Sequence, residues 1–193
     1  MEGSPTDFGS AYRLLSGAVI PRPIAWVSTR DDGADNLAPY SFFTVASIDP
    51  PIVVFAPVGR GDDLKDTPRN AIEHGEFVVN VVTRDLVDQM NQTAATVSAG
   101  VDEFDHAGVE KAESTVVDAP RVADAHVAFE CTLHDTVEMG SSTLVFGEVV
   151  HVHVADGVLT DGKLDTTKLE AVGRLAGSQY VHTTDRFELT RPP

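Results

Sequence analysis

Short segments rich in Val, Ile, Thr and Phe, punctuated by Gly, Pro and Asp, run the length of this chain without a regular alternation of strand and helix. Such residues suit pleated, half-buried surfaces. Ile24–Thr29, Tyr40–Ser47, Ile52–Ala56, Phe77–Thr83, Val127–Thr136 and Thr143–Val154 read as strands, with a turn at Asp31-Asp32-Gly33. Helical signals are fewer. In one segment Thr67 can cap and Pro68 fits the first helical position, with Ala71, Ile72 and His74 following before Gly75. A second starts near Thr83–Asp85 and carries Leu86, Val87, Met90 and Ala94 at helical spacing. A third, short one falls around Lys168–Ala171. This pattern argues against a doubly wound parallel sheet. A closed or partly closed antiparallel barrel decorated by short helices fits better, and a long strand such as Thr143–Val154 suits a barrel wall. No linker divides residues 1–193, which read as a single domain.

A chain of 193 residues can bury a core without disulfides or structural metals, and its 42% hydrophobic content excludes a disordered polymer. The longest nearly uninterrupted apolar run, Pro50 to Val58, is about half of the ~20 residues needed to cross a bilayer. Met1–Asp7 has no basic start followed by an apolar stretch, so no signal peptide is read there. A soluble, cytoplasmic domain is expected. Thirty acids against fourteen bases give a net charge of −16, a field that repels nucleic acid and anionic membranes as partners. Either the acidity is functional, as a cation store or acidic tail would be, or it is a halophilic adaptation to high intracellular salt. The even spread of acids and the scarcity of Lys (65, 111, 163 and 168) favour the halophilic reading.

The common chemical fingerprints are missing. Gly59-Arg60-Gly61 continues into Asp62-Asp63-Leu64, which is neither a dinucleotide nor a phosphate loop, and no GxSxG elbow occurs. Cys131 lies inside a strand pattern and reads as a small buried thiol, not a nucleophile. His151 and His153 share one face of their strand and could hold a metal, but no third ligand stands out. They read as ordinary polar residues on the solvent side, so no metal ligand and no catalytic side chain is assigned.

Two segments carry more. Arg60, Lys65 and Arg69 fall within eleven residues of an otherwise acidic chain, at the start of a helix. Free amides and flanking cations there suit a phosphate, but a helix cap beside bases paired to Asp62 and Asp63 explains the same residues. From this segment alone both readings stand. Pro21–Ser47 mixes aromatics with hydroxyl and amide groups near strand ends, a surface suited to a flat heteroaromatic ligand or simply to a core.

Arg22-Pro-Ile-Ala-Trp-Val-Ser28-Thr29, Asn36-Leu-Ala-Pro-Tyr-Ser41-Phe-Phe43, Asp49-Pro-Pro-Ile-Val-Val54 and Lys65-Asp-Thr67-x-Arg69-Asn70 follow in order. Gly75-Glu-Phe-Val-Val-Asn80, Met90-Asn91, Asp102-Glu-Phe104, Gly147-Glu-Val149 and Gly173-Arg-Leu-Ala-Gly177-x-x-Tyr180 continue the series. Together they resemble the flavin reductase-like, FMN-binding split-barrel family over about residues 11 to 190. The resemblance implies a mainly β, Greek-key split barrel with a few short peripheral helices, a homodimer, and FMN near the dimer interface. It implies that Asn36, Tyr40, Ser41, Phe42 and Phe43 line the flavin, through backbone amides and the Ser41 hydroxyl. Lys65, Asp66, Thr67 and Arg69 would form the phosphate end, Arg22 and Ser28 would add flavin or phosphate contacts, and Tyr180 would approach the ring from the C-terminal segment. Ala176 stands where relatives often carry a second Gly, and its methyl is expected to weaken the Arg174–Tyr180 contacts.

On the same resemblance the chain is an NAD(P)H-dependent flavin reductase, passing hydride from NADH or NADPH to flavin N5. The reduced flavin would then serve oxygen, a monooxygenase partner or another acceptor. The cofactor carries this chemistry, which accounts for the lack of a catalytic dyad. An electron carrier with tightly bound FMN and a non-catalytic flavin-binding module need the same pocket and are the alternatives.

Overall fold

Strand β1 (Ala25–Arg30) is buried on both faces, because the chain layers a core on each side of it. This is seen in a computed structural model, which describes all residues except Met1, Asp32, Gly33, Ala99 and Pro193; part of the expected Asp31–Gly33 turn therefore lies outside the described residues. Around β1 are β2 (Asp35–Tyr40), β3 (Phe43–Ile48), β4 (Pro51–Phe55) and β5 (Glu76–Val81). The short β6 (Lys111–Ala112) and β7 (Arg121–Val122) precede the long β8 (Val127–Met139) and β9 (Ser142–Val154). After them come β10 (Leu159–Thr160), β11 (Lys163–Leu164), β12 (Val172–Arg174) and β13 (Tyr180–His182). The helices are α1 (Ala11–Ala18), α2 (Asp66–His74), α3 (Val87–Gln92), α4 (Glu103–Ala107) and α5 (Thr166–Leu169).

Seven strands form one antiparallel sheet in the order β2-β1-β5-β8-β9-β4-β3. Its edges, β2 and β3, are not hydrogen-bonded to each other. The sheet closes through side chains instead: Tyr40 at the end of β2 packs against Phe55 of β4, ring centroids 5.1 Å apart, and Phe55 meets Phe77 of β5 edge-on at 5.5 Å. This is a split barrel, as expected. Alternation along the strands fills it. Ala25, Val27, Phe77, Val79, Cys131 and Val145 point inward and are capped by Ala71 and Ile72 of α2. Trp26, Leu37, Met90, Phe104 and Val122 form a second core under α3 and α4. Gly147 of β9 is required by this packing, since a Cβ there would lie 2.3 Å from Phe77 Cζ.

The long β8–β9 hairpin carries two bulges. Cys131 faces Val149, but Glu130 faces His151, so Val150 is an extra residue that shifts the register of everything beyond it.

Several boundaries differ from those read in the sequence. The expected Tyr40–Ser47 strand is broken: β2 ends at Tyr40 and β3 begins at Phe43. Strand β2 itself went unread because Asp35-Asn36-Leu37-Ala38-Pro39 lacks β-branched residues. Pro39 is tolerated because β2 is an edge. Helix α2 starts at Asp66 with Lys65 at the N-cap, so Thr67 is not its cap and Pro68 is its third residue. The second expected helix divides into a 3-10 turn, Arg84–Leu86, and α3, which ends before Ala94. Helix α5 covers Thr166–Leu169, displaced slightly from Lys168–Ala171. Helices α1 and α4 were not anticipated, although each carries a capping signal: Ser10 Oγ accepts from Arg13 N–H (3.2 Å), and Asp102 Oδ1 from Phe104 N–H (2.9 Å).

Candidate functional site

Two clefts meet along β2. One, of about 240 Å³, is lined by Arg22, Ser41, Met90, Arg174, Leu175 and Tyr180. The other, of about 200 Å³, is lined by Asn36, Tyr40, Lys65, Asp66, Thr67 and Glu103. Pro39 and Ala94 belong to both, so the clefts are two ends of one groove. Each alone is smaller than the roughly 300 Å³ at which sites for drug-sized ligands begin; joined, they reach that range.

The second cleft contains the N-terminus of α2. No side chain caps this helix; Pro68 has no N–H and Arg69 N–H donates to Lys65 O, so the Asp66 and Thr67 amides remain as donors beside a partial positive charge. Lys65 precedes them and makes no ion pair among the described residues. Thr67, 1% exposed, donates its hydroxyl to Asn36 Oδ1. Asn36 Nδ2 in turn donates to Glu103 Oε1 (2.9 Å), and Leu37 N–H donates to Glu103 Oε2 (3.3 Å). The nearly buried Glu103 carboxyl is pushed above the usual range chiefly by burial; amide donors offset this in part, and the nearby Asp66 charge adds to it. Tyr40 brings a hydroxyl that makes no well-aligned hydrogen bond; burial raises its pKa to about 12, an effect the neighbouring Thr67 hydroxyl offsets in part. A buried hydroxyl left unpaired in a cleft is a donor held in reserve for a ligand.

The first cleft is built around Arg22. Its Nη1 donates to Ser16 O (2.5 Å) and Val19 O (2.8 Å), and its Nη2 to Leu175 O (3.0 Å). The guanidinium thereby ties α1 to the β12–β13 segment and faces Phe42 at 5.7 Å. Across the cleft Arg174 lies over the Tyr180 ring at 4.5 Å and donates to its hydroxyl. The Ala176 methyl lies 3.9 Å from where a Cβ on Gly17 would stand, beside the Arg174–Tyr180 pair.

The structure thus brings Arg22, Ser41 and Tyr180 to one end of the groove and Asn36, Tyr40, Lys65, Asp66 and Thr67 to the other. Phe42 stands at the first cleft's margin, 6.3 Å from Tyr12, and Phe43 packs into the barrel core. Two further expected site residues lie away from the groove. Ser28 is fully buried, donating to Pro120 O (2.5 Å) and accepting from Asn80 Nδ2 (3.1 Å), because it points into the layer between β1 and the 110–125 segment. Arg69 is ion-paired with Asp66 and faces a separate depression with Asp62 and Leu64. Its position in the first turns of α2 aims it away from the groove.

Within β2 itself, two outward positions offer no free amide. Leu37 N–H points away from β1 and is taken by Glu103. Pro39, two residues on and facing the same way, has no N–H. Glu103 itself was missed as a site residue, though it lies in the Asp102-Glu-Phe104 motif; the signal was an acid directly after a capping Asp, which reads as helix chemistry.

Residues 16–173 match the model of the flavin reductase like domain. A protein of Halalkalibacterium halodurans is 40% identical over 190 residues, covering 94% of this chain and 90% of its own. The nitrilotriacetate monooxygenase component B of Bacillus cereus superposes with a TM-score of 0.89 at 35% identity, over 97% of this chain and 95% of its own. The 2-nitrobenzoate 2-nitroreductase of Pseudomonas fluorescens gives 0.90 at 32% identity, over 100% and 96%. No helix among the described residues is long and apolar enough to cross a membrane.

Proposed function

Since this chain belongs to the flavin reductase like domain family, we propose that it is an FMN-dependent oxidoreductase that takes hydride from NADH or NADPH and passes electrons to a second acceptor. The observation that carries this is the continuous groove along β2, with Lys65 and the N-terminus of α2 at one end and Tyr12 and Tyr180 at the other. The donors fit FMN: the uncapped α2 amides and Lys65 suit a phosphate, and the unpartnered Tyr40 hydroxyl and Ser41 suit the polar atoms between phosphate and ring. When bound, FMN supplies the hydride acceptor and the electron store. The residues of the chain do the rest. Arg22 fixes the cleft by holding three carbonyls at once, Lys65 and the α2 amides anchor the anionic end, and the Arg174–Tyr180 pair walls off one side from water. The likeness to a monooxygenase component and to a nitroreductase supports a redox role for the same groove.

In this reading the chain works as a homodimer. Tyr12, Leu15 and Val19 on and beside α1, next to the first cleft, are more than half exposed and apolar. Light scattering of the purified chain at micromolar concentration is expected to give twice the monomer mass.

Steady-state oxidation of NADH and NADPH, with and without added FMN, tests the activity. Turnover that requires FMN is expected. A yellow protein that oxidises neither nucleotide would make it an electron carrier, and a protein that binds no FMN at micromolar concentration would end the assignment.

A further inference from the structure

On the outer face of the β8–β9 hairpin, away from the groove, Glu130, His151 and His153 come together. We propose that these three side chains form a binding site for one zinc-class divalent cation. Their candidate ligand atoms all lie within 4.8 Å of one another. Metal–ligand bonds of 2.0–2.2 Å in tetrahedral geometry require separations of about 3.3 Å. Glu130 Oε1 and His153 Nε2 are at 2.5 Å in a direct hydrogen bond, so a cation enters by opening that contact by about 1 Å. The His151 and His153 rings meet edge-on with centroids 4.9 Å apart.

The bulge at Val150 creates the cluster. Cys131 faces Val149, so unbroken pairing would set Val150 opposite Glu130 and turn both imidazoles to the other side of the sheet. The extra residue instead sets His151 directly opposite Glu130, with His153 one place further along the same face. Re-aiming of side chains is what bulges at functional positions accomplish.

The carboxylate is prepared as a ligand. Glu130 is fully buried. Thr115 N–H donates to Oε1 (2.7 Å), while Val116 N–H (2.6 Å) and Val117 N–H (3.1 Å) donate to Oε2. Together these amides fix the rotamer: Oε2 is held by Val116 and Val117, and Oε1, steadied by the Thr115 amide, faces His153, as outer partners do in metal sites. His151 is half-buried and makes no side-chain hydrogen bond among the described residues, so a ligand position stands ready. Two imidazoles and one carboxylate favour Zn²⁺, Co²⁺ or Ni²⁺ over Mg²⁺ or Ca²⁺. Three protein ligands leave a fourth position for water.

Co²⁺ titration of the full chain, read by visible absorption and followed by Zn²⁺ displacement, tests the site. One equivalent per chain with the intense d–d bands of a four- or five-coordinate ion is expected, together with a Zn²⁺-dependent rise in Tm. His151→Ala breaks no hydrogen bond and should fold; it is expected to weaken Co²⁺ binding by about tenfold or more while leaving FMN affinity unchanged. His153→Gln should weaken it similarly. His134→Ala, which removes an exposed histidine 3.6 Å from Glu148, should change nothing. Absence of saturable binding, survival of the bands in His151→Ala, or equal loss in His134→Ala, as adsorption to the acidic surface would give, overturns the proposal.

Discussion

The ring of Tyr40 packs on Phe55 at 5.1 Å and helps to close the barrel, while its hydroxyl, beside Thr67, makes no well-aligned hydrogen bond. One side chain therefore serves packing with its ring and holds an unused donor. Tyr40→Phe keeps the ring and deletes only an unpaired buried group, so folding stability should stay level or rise by up to about 1 kcal/mol. FMN affinity should fall by about three- to tenfold, the worth of one neutral hydrogen bond. Urea unfolding and flavin fluorescence titration on the same variant check both halves. A variant that loses stability would show that the hydroxyl is not an orphan.

Glu103 places a carboxylate against the end of the groove that an anion would occupy. Its raised pKa means that the folded chain holds this proton more tightly than the unfolded chain. That contribution is present below the unfolded value and is lost as pH rises through the folded one. A phosphate beside it should bind better when Glu103 is protonated. As pH falls through the raised Glu103 value, FMN affinity is expected to gain relative to Glu103→Gln, in which that position is neutral throughout. Fluorescence titration of both proteins across that fall in pH measures the difference.

Lys65 is the cation at the mouth of α2. Lys65→Ala should weaken FMN binding by about tenfold, the worth of one charge-assisted hydrogen bond, and leave riboflavin binding within about twofold. The global −16 opposes both flavin phosphate and nicotinamide nucleotides. Raising salt from 0.05 to 1 M should therefore tighten nucleotide binding as that repulsion is screened. Isothermal titration with the two flavins at both salt concentrations tests both statements.

Glu130 makes the fold sensitive to acid. Its carboxyl is depressed from 4.5 to about 2 in the folded chain, so its stabilisation is complete above 4.5 and is lost as pH falls toward 2. The loss should be on the order of 3 kcal/mol. In Glu130→Gln the urea midpoint should be lower at pH 7 and fall less between pH 5 and 3 than in the parent.

Gly147→Ala would set a methyl 2.3 Å from Phe77 Cζ and 3.0 Å from Cys131 Cβ. Overpacking of this kind costs about 1–3 kcal/mol. The double variant with Phe77→Leu should recover part of it, seen as a partial return of Tm.

Much of the barrel was legible because its strands alternate or run in β-branched blocks. Phe77–Thr83 and Thr143–Val154 carry that signal in nearly every residue. Strand β2 did not, since its composition is set by its place at an edge against Glu103 and α2, not by sheet propensity. The groove's composition was readable from Asn36, Tyr40, Ser41, Lys65 and Thr67, but direction was not. Nothing local distinguishes Ser28, sealed under Pro120, from Ser41 at the cleft, or Arg69, turned toward Asp66, from Lys65. The partner of His151 and His153 was invisible for a different reason: a single bulged residue, Val150, decides which face of β8 they meet.

A half-paired strand such as β2 is a template on which other chains can add strands and grow fibres. Here the outward amide of Leu37 is occupied by Glu103, and Pro39 offers none. An invading strand would find acceptors without donors at two successive outward positions and could not build a ladder. The residues that shape the groove therefore also guard the open seam of the barrel against aggregation.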